Sequence, residues 1–253
     1  MNTTVTSSTA PERKRFDIAS FTSKGGRQKN EDSIYAWQNE GQLFAVVADG
    51  LGAHGGGDIA SAEAIASMRQ SLPASGITSA AVLSECFSNA NSAVLAKQIH
   101  GTAMKSTAVV LTAENGEAAF AHAGDSRGYV FHRGRITFQT MDHSVSQLSV
   151  LRGDITPGQI RFHKSRSQLM RALGAGETVA EDIKSIKPIS VRDAFLLCSD
   201  GFWEYVTEAE MEIDLAKSPR SARKWLSLML ARIGKRIPDD HDNLSAVAII
   251  YRG

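Results

Sequence analysis

The sequence predicts an α+β protein built on antiparallel sheets, and three observations carry that prediction. Short strand-like runs follow one another with tight turns between them. Helical patterns fall in separate blocks, and no regular strand–helix–strand repeat is visible. With 253 residues, 42% of them hydrophobic, the chain can fill a sizeable core in one layered domain.

Strands are expected at Phe16–Thr22, Ser33–Trp37, Leu43–Ala48, Ser106–Thr112, Glu117–His122, Gly128–His132, Ala194–Ser199 and Ser245–Tyr251. Glu114-Asn115-Gly116 and Arg133-Gly134 read as hairpin turns, each linking two strands. A first helix follows Gly55-Gly56-Gly57, with Ile59, Ala62, Ile65, Ala66 and Leu72 as its apolar stripe. A second spans Ser79 to Ile99, with Leu83, Phe87, Ala90 and Val94 on one face and Gly101 as a stop. A third spans Pro219–Ile233, with Ser218 as N-cap, Pro219 at the first helical position and Gly234 after the end. Its Ala222, Trp225, Leu226, Met229, Leu230 and Ile233 form a stripe. Its Arg220, Arg223, Lys224 and Arg232 read first as a solvated face, with a docking surface as the alternative.

Residues 141–178 form a polar, charged insertion containing Asp142-His143-Ser144 and the basic run Arg161 to Arg166. Such a segment reads as a substrate lid, with a packed surface subdomain as its rival. Residues 1–15 are Ser/Thr-rich without an apolar core, so they read as a disordered tail and not as a secretory signal. No apolar run approaches the ~20 residues of a membrane span, so membrane insertion is not expected. Twenty-eight basic and 27 acidic residues give a formal charge of +1, which argues against a nucleic-acid-binding surface. Cys86 and Cys198 sit in apolar runs and read as buried thiols of a cytoplasmic protein, not as nucleophiles.

The chemistry is concentrated in acids at strand ends. FAVVADG, FAHAGDSR and FLLCSDG end apolar runs on Asp49-Gly50, Gly124-Asp125-Ser126-Arg127 and Asp200-Gly201, while Asp242-Asn243 precedes a strand. Carboxylates held on rigid strand ends and converging in space make a nest for hard divalent cations such as Mg²⁺ or Mn²⁺. Arg27, in Arg27-Gln28-Lys29-Asn30-Glu31-Asp32, adds a guanidinium for a phosphate. Each pair taken alone is an ordinary turn or surface pair; together they point to metal-assisted chemistry on a phosphate ester.

In this order the motifs R-x-x-N-E-D, V-A-D-G, G-D-S-R, C-S-D-G and D-N-x-S resemble the bacterial metal-dependent serine/threonine protein phosphatases, the PPM or type 2C family. The resemblance runs from about Phe16 to Tyr251 and implies a four-layer α-β-β-α sandwich, two antiparallel sheets flanked by helices, over residues 16–253. It implies two Mn²⁺ or Mg²⁺ ions, with Asp49 bridging them and the Gly50 carbonyl, Asp200 and Asp242 as further ligands. Glu31 and Asp32 would act through metal-bound waters, and Asp125 with Asp200 would hold a weaker third ion. Arg27 would grip the substrate phosphate. Metal-bound hydroxide would attack directly, with the two ions clamping the attacking and leaving oxygens. Arg127 reads as structural, pairing with a buried acid.

The leaving-group acid stays open between a metal-bound water, His54 and His143, since Leu51 stands where animal-type relatives carry a histidine. Residues of about 144–178 resemble the family's flap. The implied substrate is a phosphorylated protein and the implied antagonist a cognate serine/threonine kinase. The stretch SDGFWEYVTEAEMEIDL resembles the branch associated with type VI secretion, where phosphatase and membrane kinase set the phosphorylation of a forkhead-associated-domain protein. Phe202 to Leu215 itself reads as lying outside the catalytic constellation. A phosphoprotein-binding pseudophosphatase and a hydrolase of small phosphorylated molecules are the rival classes.

Overall fold

A computed structural model describes residues 15–52, 55–98 and 103–253. In chain order the strands are β1 (Phe16–Ser23), β2 (Asp32–Gln38), β3 (Gln42–Leu51), β4 (Lys105–Ser106), β5 (Ala108–Glu114) and β6 (Glu117–Ala123). They continue with β7 (Arg127–His132), β8 (Arg135–Gln139), β9 (Asp182–Ile186), β10 (Ala194–Cys198) and β11 (Leu244–Tyr251). The helices are α1 (Gly57–Ser71), α2 (Ala80–Lys97), α3 (Val145–Leu151), α4 (Asp200–Trp203), α5 (Glu208–Ala216) and α6 (Ala222–Ile233). A 3₁₀ turn occupies Pro157–Phe162.

Two antiparallel sheets result. One has the order β1-β11-β10-β7-β8, the other β2-β3-β5-β6-β9 with β4 paired to the end of β3. Period-two alternation explains why both stack. On β3, Leu43, Ala45 and Val47 face the other sheet, while Phe44, Val46 and Ala48 face α1 and α2. On β10, Phe195 and Leu197 face inward, while Ala194, Leu196 and Cys198 face the layer of α5 and α6. Three apolar interfaces therefore separate four layers, as the resemblance implied.

Several local expectations are corrected. The α1 stripe is rotated: Ala60, Ala64, Ile65 and Met68 are buried, whereas Ile59 is 48% exposed. The expected strand Ser106–Thr112 divides, because Ser106 pairs with Gly50 and Thr107 turns to bond the Asp49 backbone before β5 begins. Helix α6 starts later than Pro219. Ser221 is its N-cap, accepting from the Lys224 N–H, while Ser218 donates to the Asp214 carbonyl and so finishes α5. Strand β9 and helices α3, α4 and α5 are additions. The Ser79 cap of α2 and the two hairpins are as expected, with α2 ending at Lys97 and Gly101 outside the described residues.

Cys86 and Cys198 are both buried and unpaired; burial pushes the Cys86 thiol up to about 11 and the Cys198 thiol higher still. No helix among the described residues is long and apolar enough to cross a membrane.

Candidate metal centre

The two sheets bring their acids to one end. Asp32 opens β2 and lies in register with Asp49 near the end of β3. Asp125 follows β6, Asp200 follows β10, and Asp242 precedes β11. A cleft of about 980 Å³ is lined by Arg27, Glu31, Asp49, Gly50, Asp200 and Asp242. Ser167, Leu169, Met170 and Arg171 of the 141–178 insertion form its opposite wall.

The Asp49 backbone is fixed at both ends of its peptide. Its N–H donates to Thr107 Oγ1 at 3.0 Å, and its carbonyl accepts from the Thr107 N–H at 2.8 Å. The carboxylate is thus aimed by strand geometry. Gly50 cannot be replaced without displacement, since a Cβ there would lie 1.9 Å from the Gly57 carbonyl oxygen. The Gly50 N–H donates to the Glu31 carbonyl, and the Glu31 N–H donates to Asn243 Oδ1 at 2.7 Å. Asn243 Nδ2 also donates to the Lys24 and Lys29 carbonyls, so one amide organises the whole Arg27–Glu31 loop.

The Asp125 loop is held from beneath. Trp203 Nε1 donates to the Asp125 carbonyl at 3.0 Å, and the same indole carries the Arg127 guanidinium at 3.5 Å. Arg127 meets Asp142 in a buried bidentate pair, at 2.8 and 2.7 Å, as its structural reading required. Gly124 has φ 107°, and a Cβ there would strike Thr107 at 2.6 Å. Residues Phe202 to Leu215 therefore do touch the constellation, through Trp203 and through Glu204, whose charge acts on Asp200.

Asp32, Asp49, Asp125, Asp200 and Glu31 are pushed upward. Burial, followed by the charges of Asp32, Asp200, Asp125 and Asp242, raises Asp49 well above the usual carboxylate range. Burial and then Asp200 raise Asp125 similarly. Burial with Glu204, Asp242 and Asp32 lifts Asp200 to about 7, and burial lifts Asp32 to about 6 despite hydrogen bonds from Ser245 and Ser199. Glu31 is raised by burial and by Asp58. One oxygen of Asp32 and one of Asp58 are buried with no hydrogen-bond partner. Crowded, mutually repelling, all-oxygen donors with an orphaned lone pair fit hard divalent cations.

Arg27 reaches over this nest, pairing with Asp242. The structure brings together Arg27, Glu31, Asp32, Asp49, Gly50, Asp125, Asp200 and Asp242. Asp58, Thr107 and Glu204 were missed, and Asn243 was named only as the neighbour of Asp242. Asn243 had a signal, since it sits beside Asp242; Glu204 had none.

His54 lies outside the described residues. His143 is unsuited to act as the leaving-group acid. Its Nδ1 accepts from the Gly124 N–H at 3.2 Å, and its Nε2 is occupied by the Arg171 guanidinium at 3.2 Å and by Asp182 at 3.3 Å. The same geometry argues against an ion among His122, His143 and Asp182, although their ligand atoms lie within 4.8 Å of one another. The Arg171 cation already sits on Asp182 at 2.9 Å and on His143 Nε2 at 3.2 Å, where a metal cation would have to stand.

The protein phosphatase 2C profile matches residues 24–241, and the chain belongs to that family. It is 32% identical to the serine/threonine phosphatase stp of Listeria welshimeri over 81% of this chain and 84% of the relative. It is 31% identical to PstP of Mycobacterium tuberculosis, again over 81% of this chain, but spans only 40% of that protein's length. Among solved structures, Stp1 of Staphylococcus aureus superposes with a TM-score of 0.82 at 25% identity, covering 98% and 100% of the two chains. The PstP catalytic domain, solved with two manganese ions, gives 0.73 at 27% identity, over 94% and 99%. PppA, described as a regulatory component of the type VI secretion system in Pseudomonas aeruginosa, gives 0.73 at 27%, over 94% and 98%.

Proposed function

We propose that this chain is a metal-dependent phosphoprotein phosphatase that hydrolyses phosphoserine and phosphothreonine. The observation that carries the reading is the convergence of Asp32, Asp49, Asp125, Asp200 and Asp242 from both sheets beneath Arg27. Asp49, Asp200, Asp242 and the Gly50 carbonyl would hold two Mn²⁺ or Mg²⁺ ions, with Glu31 and Asp32 acting through bound waters. Asp125 with Asp200 would form a weaker third site. Bound there, the ions supply a strongly acidified water and neutralise phosphate charge. The protein's part is positional. Arg27 orients the phosphate dianion, Asn243 fixes the loop that presents Arg27, and Thr107 fixes Asp49. The 141–178 insertion, whose Leu169 to Arg171 wall the cleft, would act as a flap over the substrate.

The biological setting extends the same reading: a cytoplasmic enzyme opposing a serine/threonine kinase, with likeness to PppA supporting a place in type VI secretion control. The test is phosphate release from a phosphothreonine peptide, with Mn²⁺ or EDTA, for the wild type and Asp49→Ala. Release that needs the ion and is lost in the variant supports the enzyme and its central ligand. An ion-loaded, folded wild type without release would favour a phosphoprotein-binding role. Release from a small aryl phosphate that the peptide does not compete with would favour a small-molecule substrate.

A further inference from the structure

A second cavity, about 540 Å³, lies at the other end of the five-stranded sheet. It is lined by His132, Arg133, Arg192, Val191, Leu215 and Pro219, among others. Strand β7 runs from Arg127, beneath the acid cluster, to His132 at this cavity, a separation of about 17 Å at ~3.3 Å per residue. The cavity is therefore remote from the cleft that holds Asp49.

Its rim is basic and unneutralised. Arg133 and Arg192 line it; Lys217 and Arg220 flank its lining residues Ala216 and Pro219 in the chain, and Arg223 and Lys224 follow in the first turn of α6. All six are exposed, and among the described residues none of their side chains has a hydrogen-bond or ion-pair partner. The nearby acids are already engaged. Asp193 holds His132 and the Ser190 N–H, Glu212 holds Arg135 and the Ile136 N–H, and Asp17 holds Arg252 and the Ala222 N–H. Six open cations in a chain of net charge +1 are a strong local asymmetry. Arg133 and Arg192 also hold left-handed backbone, φ 51° and 74°, where glycine or asparagine would be relaxed.

We propose that this cavity is a docking site for an acidic segment of a partner protein. An apolar side chain of that segment seats against Val191, Leu215 and Pro219, while flanking carboxylates meet Arg133, Arg192 and Arg220. Val191, 61% exposed, is the apolar surface such a contact would cover. Concavity with the exposed Val191 in its lining favours a peptide over a lipid surface or a nucleic-acid duplex, which call for broad cationic faces without a pocket. Its use rests on the phosphoprotein-phosphatase reading: the dock tethers the substrate protein at a distance and leaves the catalytic cleft clear, raising the local concentration of the phosphorylated residue.

The test uses the full chain and a short fluorescein-labelled peptide rich in Glu and Asp with one central Leu, followed by anisotropy. Two variants are compared with the wild type, R192E/R220E/R223E and V191D. The expected result is peptide affinity reduced at least ~tenfold in both, and weakened in the wild type by added salt. Mn²⁺-dependent hydrolysis of p-nitrophenyl phosphate should stay at the wild-type rate in both variants. Equal peptide binding by wild type and variants overturns the proposal. So does preference of the wild type for a DNA duplex or phosphatidylserine vesicles over the peptide. Peptide binding without any phosphatase activity would sink the catalytic reading and leave the dock standing; activity without peptide binding would do the reverse.

Discussion

Arg27 clasps Asp242 through two parallel hydrogen bonds, Nε to Oδ1 at 3.0 Å and a terminal nitrogen to Oδ2 at 2.8 Å. The residue assigned to the substrate phosphate thus holds a residue assigned to the ions. Both side chains are about half exposed, 56% and 48%, so the pair is worth only ~0–1 kcal/mol and a phosphate dianion can displace it. Arg27→Ala is expected to raise KM for a phosphothreonine peptide at least ~tenfold while ion affinity holds or rises. Arg27→Lys, which keeps the charge but not the fork, should fall between. Steady-state kinetics with Mn²⁺ titration checks both; an unchanged KM would remove Arg27 from the phosphate.

Asp49 lies among Asp32, Asp200, Asp125 and Asp242, whose charges oppose its own. Asp49→Ala should therefore abolish turnover and stabilise the metal-free protein. A rise in Tm of at least ~2 °C under EDTA is expected, the shift that about 1 kcal/mol gives in a domain of this size. A lower Tm in the variant would show that Asp49 is held by attraction, contrary to this account.

The raised acids fix the pH response. Asp32 and Asp200 stand at about 6 and about 7 in the folded protein. Between about pH 4 and those values the folded chain retains protons that the unfolded chain has released, so stability falls as pH rises through this window. EDTA-treated protein should melt at a higher temperature near pH ~5.5 than near pH ~8. Saturating Mn²⁺ should shrink or reverse the difference, because ions bind the deprotonated carboxylates. Differential scanning fluorimetry across pH decides it; a metal-free Tm that climbs with pH contradicts the assigned repulsion.

Arg127 and Asp142 form a pair with side chains 2% and 1% exposed. Arg127→Ala leaves Asp142 buried without its cation and should cost about 3–5 kcal/mol by urea denaturation. The double variant Arg127→Ala, Asp142→Asn should recover part of that loss, since the uncompensated charge is gone. No recovery would place the loss in the Arg127–Trp203 stack instead.

Asp49, Asp200 and Asp242 were legible because each borders an apolar run, and a turn-forming acid at a strand end is a local pattern. Strand β9 was not legible: DIKSI is half exposed and owes its extension to pairing with β6. The start of α6 was misplaced because Ser218 and Ser221 offer the same local signal. The choice between them is tertiary, made by Asp17, which takes the Ala222 N–H from across the chain. Glu204 and Asp58 reach the site only through the helices that carry them. Trp203 read as background because its partners, Asp125 and Arg127, lie more than seventy residues earlier.

Asp32 and Asp49 belong to one sheet, while Asp200 and Asp242 border strands of the other. The centre is therefore a rivet through two plates, and its grip depends on how the plates lie. A truncation deep between them, such as Val247→Ala or Leu43→Ala, touches no ligand, yet it lets one plate slide on the other. In the proposed centre, ion affinity would then become a strain gauge for a remote core, and a worn interior would first announce itself as a need for more metal.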